Sequence, residues 1–144
     1  MDRLAKKERI AKFLFAFRHV DRVIKKEDGT TARIPSSKTQ EKVAKAIGTS
    51  FQQVQKYEKA TNGVPSDILL LICDTQNYDL SKMVDHNPRD LLADIDKKKH
   101  DMVLKKFKDI EIVIEKERQL QERYRGVLPK LEKEMAYEDT YKGS

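Results

Sequence analysis

The chain has 144 residues, 38% hydrophobic and 38% charged, with a net charge of +6 at pH 7. That length suits one small domain plus an appendage, and no apolar run approaches the length needed to span a membrane. A single cysteine, Cys73, excludes a disulfide framework within the chain and points to a reducing cytoplasm.

The first nine residues mix Lys, Arg, Asp and Glu and lack a sustained apolar region, so no secretory signal is expected. Residues 1–87 hold 16 Lys/Arg and 11 Asp/Glu, a net of +5, while residues 88–144 hold 14 and 13, a net of +1. The excess positive charge therefore sits in the first part of the chain. A basic balance suits a polyanion partner, although basic surfaces have other uses.

Residues 3–26 read as a first helix. Leu4, Ile10, Phe13, Leu14, Phe17, Val20 and Ile24 recur at helical spacings. Phe13, Phe15 and Phe17 are expected in the core, with Lys6, Lys7, Arg9, Lys12, Arg18 and Arg22 on outer faces. Glu27 to Ser37 reads as a loop, because Asp28-Gly29 is a turn dipeptide and Ile34-Pro35 resists helix continuation.

Thr39 to Asn62 reads as two short helices joined by a tight turn. Thr39 is a good N-cap, and Glu41 follows in the first turn, where the helix dipole favours an acid. Val43, Ala44 and Ile47 share one face, and Gly48 stands where a left-handed cap is expected. Ser50 caps the second helix with Gln53 three residues on, as in a capping box. Val54 and Tyr57 point inward. Ser66 is expected to cap a further helix that buries Ile68, Leu69, Leu71 and Ile72. Asp79-Leu80-Ser81 opens a last short helix with Leu80, Met83 and Val84 inward.

The stretch from 38 to 85 resembles the helix-turn-helix of the phage repressor and Cro-like (Xre-like) DNA-binding family. Thr39-Gln40-Glu41, Val43, Ala44, Ile47, Gly48, Ser50, Val54, Tyr57, Glu58 and Pro65-Ser66 carry the likeness in register. The resemblance implies an all-α, five-helix repressor-like domain over residues 1–87. It also implies major-groove readout of double-stranded DNA. By the same resemblance Gln52, Lys56 and Phe51 occupy base-reading positions, while Gln40, Ser50 and Lys59 occupy phosphate-side positions. A Gln amide suits adenine and a Lys suits guanine O6/N7. Phe51 departs from the polar residue many members carry; it either packs on a thymine methyl or turns inward. The loop before Thr39 is longer than the family's. Glycine comes at Gly63 rather than near Ala60, so the second helix is expected to run a turn longer or to end differently.

Pro88 marks a boundary, and residues 88–144 read as a long charged helical extension. Leu92, Ile95, Met102, Val103, Phe107, Ile110, Val113, Ile114, Leu120 and Tyr124 fall near one stripe. Strict heptads are not met, since Glu117 and Gln121 interrupt the seam. Pairing of two tails as a coiled coil in a homodimer is the favoured reading. The alternatives are a helix lying back on its own domain and a docking surface for another protein. Gly126 and Pro129 should bend the helix, Leu128, Leu131 and Met135 suggest a short final helix, and Asp139 to Ser144 should fray.

No glycine-rich phosphate loop, Cys/His metal spacing or nucleophile elbow is present. No catalytic residue, metal or cofactor is therefore expected. The combined expectation is a cytoplasmic transcriptional repressor that binds DNA as a homodimer. The alternative is the antitoxin of a toxin–antitoxin pair, its tail binding the toxin.

Overall fold

The structure, a computed structural model, describes residues 2–36, 39–93 and 95–125. The element order is α1 (Arg3–His19), β1 (Arg22–Lys25), β2 (Thr31–Ile34), α2 (Gln40–Ile47), α3 (Phe51–Glu58), α4 (Ser66–Thr75), α5 (Leu80–Asp85), a 3₁₀ turn (Pro88–Leu92) and α6 (Lys97–Arg123). The fold is mainly helical, with five short helices followed by one long one, as the sequence implied. Two compact units divide it, Met1–Ile114 and Glu115–Ser144.

Helix α1 is the centre of the first unit because both of its faces are buried. Side chains two positions apart on a helix point about 200° apart. Phe13 and Phe17 therefore share one face, and Phe15 takes the opposite one. Phe13 and Phe17 join Ala44, Ile47, Val54, Tyr57, Ile72, Cys73 and Met83 in one cluster. Phe15 joins Leu4, Ala11, Leu92, Val103, Phe107, Ile110 and Ile114 in another. All three rings are buried, as expected from sequence. The long helix thus lies against α1 as far as Ile114. Lys12 reinforces this contact by donating to Glu111 Oε1 at 2.8 Å.

The first helix ends at His19, seven residues earlier than the spacing suggested. Val20 is already extended, with φ −120° and ψ 122°. Residues 22–25 and 31–34 form an antiparallel hairpin, with Arg22 opposite Ile34 and Lys25 opposite Thr31. Val20 and Ile24 satisfy helical spacing, but Val20, Val23 and Ile24 are β-branched and favour the strand. Gly29 closes the turn at φ 87°, and Asp28 Oδ1 accepts from Thr30 N at 2.9 Å. At the hairpin's base Asp21 Oδ1 accepts from Ser36 N at 2.7 Å. That bond and the Arg33 guanidinium hold the Asp21 carboxyl at about 2, below its usual range. Arg22 donates to Gln76 O and lies over the rings of Phe17 and Tyr78, which ties the hairpin to the end of α4.

Three consecutive helices end alike, each on a left-handed residue: Gly48 at φ 69°, Ala60 at φ 61° and Asn77 at φ 46°. In each case the next N–H reaches back five residues: Thr49 to Ala44 O, Thr61 to Lys56 O and Tyr78 to Cys73 O. These are the bonds that satisfy a helix's last carbonyls.

Several inward assignments change. Pro65, not Ser66, is the cap residue of α4, and it makes no side-chain cap bond. Cys73 is buried beside Ile72, whereas Leu71 is 45% exposed. On α5 Met83 is buried, but Leu80 and Val84 are exposed. With only six residues α5 presents one narrow contact face, and Arg9 caps its end by donating to the Met83 and Val84 carbonyls.

In the second unit, Gln119 Nε2 donates to Glu115 Oε1 at 3.4 Å, and Arg125 Nη1 donates to Glu122 Oε1 at 3.1 Å. Leu120 and Tyr124 are exposed. The sequence readings at Gly126, Leu128, Pro129, Leu131, Met135 and residues 139–144 lie outside the described residues.

A Cβ added at Gly48 would meet nothing within 4 Å, so Gly48→Ala isolates the backbone term. Left-handed geometry costs a non-glycine residue roughly 1–2 kcal/mol. Urea denaturation is expected to show Gly48→Ala less stable by about 1 kcal/mol. An unchanged midpoint would contradict the left-handed cap.

Candidate functional site

Helix α3 is short and depends on its neighbours for orientation. Ser50 Oγ accepts from Gln53 N at 3.2 Å and caps its start. Val54, Tyr57 and Glu58, at spacings of three and four, all face inward. The remaining side chains are left for solvent. Gln52, Lys56 and Lys59 are exposed on adjacent positions of one face, and Gln53 and Gln55 are half-buried.

The buried group that matters most is Glu58, at 2% exposure. Arg18 of α1 grips it with two parallel bonds: Nε donates to Oε2 and Nη2 to Oε1, both at 2.9 Å. From the first turn of α2, Gln40 Nε2 donates to the same Oε1 at 3.2 Å. One carboxylate therefore fastens α3 to both α1 and α2. Such bidentate, charge-assisted contacts are directional and fix relative orientation as well as energy.

The sequence places Arg18 on an outer face of α1 and does not reveal this pair. The signal lay in spacing: Glu58 is four residues after Val54 and beside Tyr57, so it falls on the apolar face. A carboxylate there needs a partner, because an unpaired buried charge is very costly.

The other expected positions are distributed as follows. Phe51 is 38% exposed and does not turn inward. Ser50 is exposed at the start of α3, and Thr39 Oγ1 accepts from Lys42 N at 3.2 Å at the start of α2. Gln40, Ser50, Phe51, Gln52, Lys56 and Lys59 all lie on α2, α3 or their caps. Gln40 is half-buried by its bond to Glu58. The Lys56 carbonyl accepts from Thr61 N, Asn62 N and Thr61 Oγ1, which fixes the chain leaving α3.

His19, beside Arg18, has its pKa lowered from 6.5 to about 4, first by burial and then by the cations of Arg18 and Lys99. Its ring packs on Phe15 at 4.4 Å. It is therefore neutral near pH 7 and adds no charge to this region. Among the described residues no group of His, Cys, Asp and Glu is placed to hold a metal ion. None of their helices is long and apolar enough to cross a membrane.

The arrangement presents a polar and cationic face on a short helix held rigidly from behind. It suits recognition of a polar, anionic surface. Residues 31–82 match a helix-turn-helix family model, Cro-like and Xre-like in type. No curated protein and no solved structure matches the chain.

Removing Glu58 would take from the partly buried Arg18 the carboxylate it grips. Glu58→Ala is expected to lose about 3–5 kcal/mol in urea denaturation, and an apolar pair, Arg18→Met with Glu58→Leu, to recover much of it. A loss below 1 kcal/mol for the single variant would show that the pair does not anchor α3.

Proposed function

We propose that this DNA-binding transcriptional regulator, a phage repressor/Cro-like (Xre-like) helix-turn-helix protein over residues 31–82, is a repressor that reads the major groove as a homodimer. The observation that carries this reading is the exposure of Gln52 and Lys56 on a helix anchored by the Arg18–Glu58 pair. Gln52 is suited to a bidentate contact with adenine and Lys56 to guanine O6/N7. Exposed Phe51 adds an apolar surface fit for a thymine methyl. Ser50 and the first N–H groups of α3 offer a phosphate the positive end of a helix, and Lys59 serves a phosphate near its other end. Gln40 reaches a phosphate from the first turn of α2 while its amide remains fixed by Glu58.

In a dimer the two copies of α3 would lie about one helical turn apart, roughly 34 Å, on a palindromic operator. Within this chain Val103, Phe107, Ile110 and Ile114 are already buried. Pairing therefore draws on residues beyond Ile114, where Leu120 and Tyr124 are exposed. Occupying a promoter would give repression, and a cytoplasmic location follows from the DNA target.

Gln52→Ala and Lys56→Ala should each cost about 1–3 kcal/mol on the preferred duplex and far less on random duplex. Fluorescence anisotropy on both duplexes checks this. Equal losses on the two would contradict base reading by α3.

A further inference from the structure

The near-neutral balance of residues 88–144 is an average of opposite blocks. Residues 97–108 hold six lysines against one aspartate, a net of +5, leaving −4 for the other residues of that half. Asp96 and Asp109 flank this block, and residues 96–109 together carry +3. Lys97, Lys98, Lys99, Lys105 and Lys108 are exposed, and none makes an ion pair with a described residue. Three other cations of the same unit are paired, Lys12 with Glu111, Arg18 with Glu58 and Arg33 with Asp21.

This block works against the helix that carries it. The N-terminal end of a helix is positive and favours acids. Here the first turn of a 27-residue helix holds three lysines and no acid. Asp96, just before it, caps the helix by accepting from Lys99 N at 2.9 Å, and Asp101 follows in the second turn. An external anion would relieve the clustering.

The block is also continuous with the recognition region. Lys99 is close enough to His19 to act on its ionisation, and Lys106 Nζ stands 5.6 Å from the Phe15 ring centroid. His19 follows Arg18, which grips Glu58, which bonds Gln40 at the start of α2. Lys99 and Lys106 therefore stand at the His19 end of α1, and Ala60, just past α3, shares a buried cluster with Val103 of α6.

We propose that the lysine-rich first turns of α6, Lys97 to Lys108, are a second DNA-binding surface, gripping the phosphate backbone beside the helix-turn-helix without reading sequence. The inference rests on the DNA-binding reading and extends it to an element outside residues 31–82. Lysines act as point charges on phosphates, and their contribution appears as counterion release. A protein partner fits these turns poorly. Interface cores are depleted in lysine, and the one large hydrophobic residue exposed on them is Met102, since Val103 and Phe107 are buried against α1.

The test compares the full chain with a Lys98→Gln, Lys99→Gln, Lys105→Gln variant on preferred and random duplex across a salt series. Each lost phosphate contact lowers the slope of log K against log salt by about 0.9, so the triple variant should lose about 2.7, equally on both duplexes. Circular dichroism should show an unchanged fold. A control variant, Lys82→Gln with Lys116→Gln, should keep the parent slope. A parent slope in the triple variant, or a similar loss in the control, overturns the inference while leaving base reading by α3 intact. Loss of sequence preference in the parent with the expected slope change would sink base reading and uphold the second surface. A parent chain that binds no duplex overturns both.

Discussion

The structure turns on one buried ion pair. Arg18 and Glu58 come from helices 40 positions apart in sequence and meet with two bonds of 2.9 Å. Two desolvated charges need not add net stability, because leaving water offsets much of their attraction. What they supply is orientation. A planar guanidinium facing a planar carboxylate tolerates little rotation, and the Gln40 amide adds a third constraint from α2. Helix α3 has too few residues to hold itself and too few apolar contacts to fix its rotation alone. Val54 and Tyr57 bury it, and Glu58 sets its angle.

Helix α1 makes this possible by serving two cores. Its aromatic residues at 13, 15 and 17 alternate across the helix, so one face packs the helix-turn-helix and the other packs α6. Burying each large apolar side chain contributes about 1.5–3 kcal/mol, enough for the two aromatic contacts to outweigh the local preferences of short helices. Arg9, Lys12 and Arg18 extend from the same helix to α5, α6 and α3. A single element therefore positions both the exposed face of α3 and the lysines of α6.

Much of this was legible in the sequence where local chemistry and tertiary packing agree. Thr39, Gly48, Ser50 and Asp79 mark helix ends because their preferences are intrinsic to the backbone. The hairpin was not legible, because Val20 and Ile24 fit a helical period and only β-branching argued otherwise. Nor was the left-handed Ala60, a conformation that alanine adopts only when its surroundings hold it. It is fully buried in the same cluster as Phe15 and Val103, and it ends α3 at the length glycine would have allowed. On α4 and α5 a run of leucines could not say which would face inward. The tail's charges misled by averaging, since a sum over residues 88–144 hides the lysines before Lys108.

Helix α3 presents Gln52 and Lys56 outward, and exposed lysines continue on α6 beyond residues 31–82. Selection of bound sequences from a random duplex library tests base reading by α3 most directly. The expected result is an enriched inverted repeat with half-site centres about 34–36 Å apart. A recovered pool with no enriched sequence would contradict it.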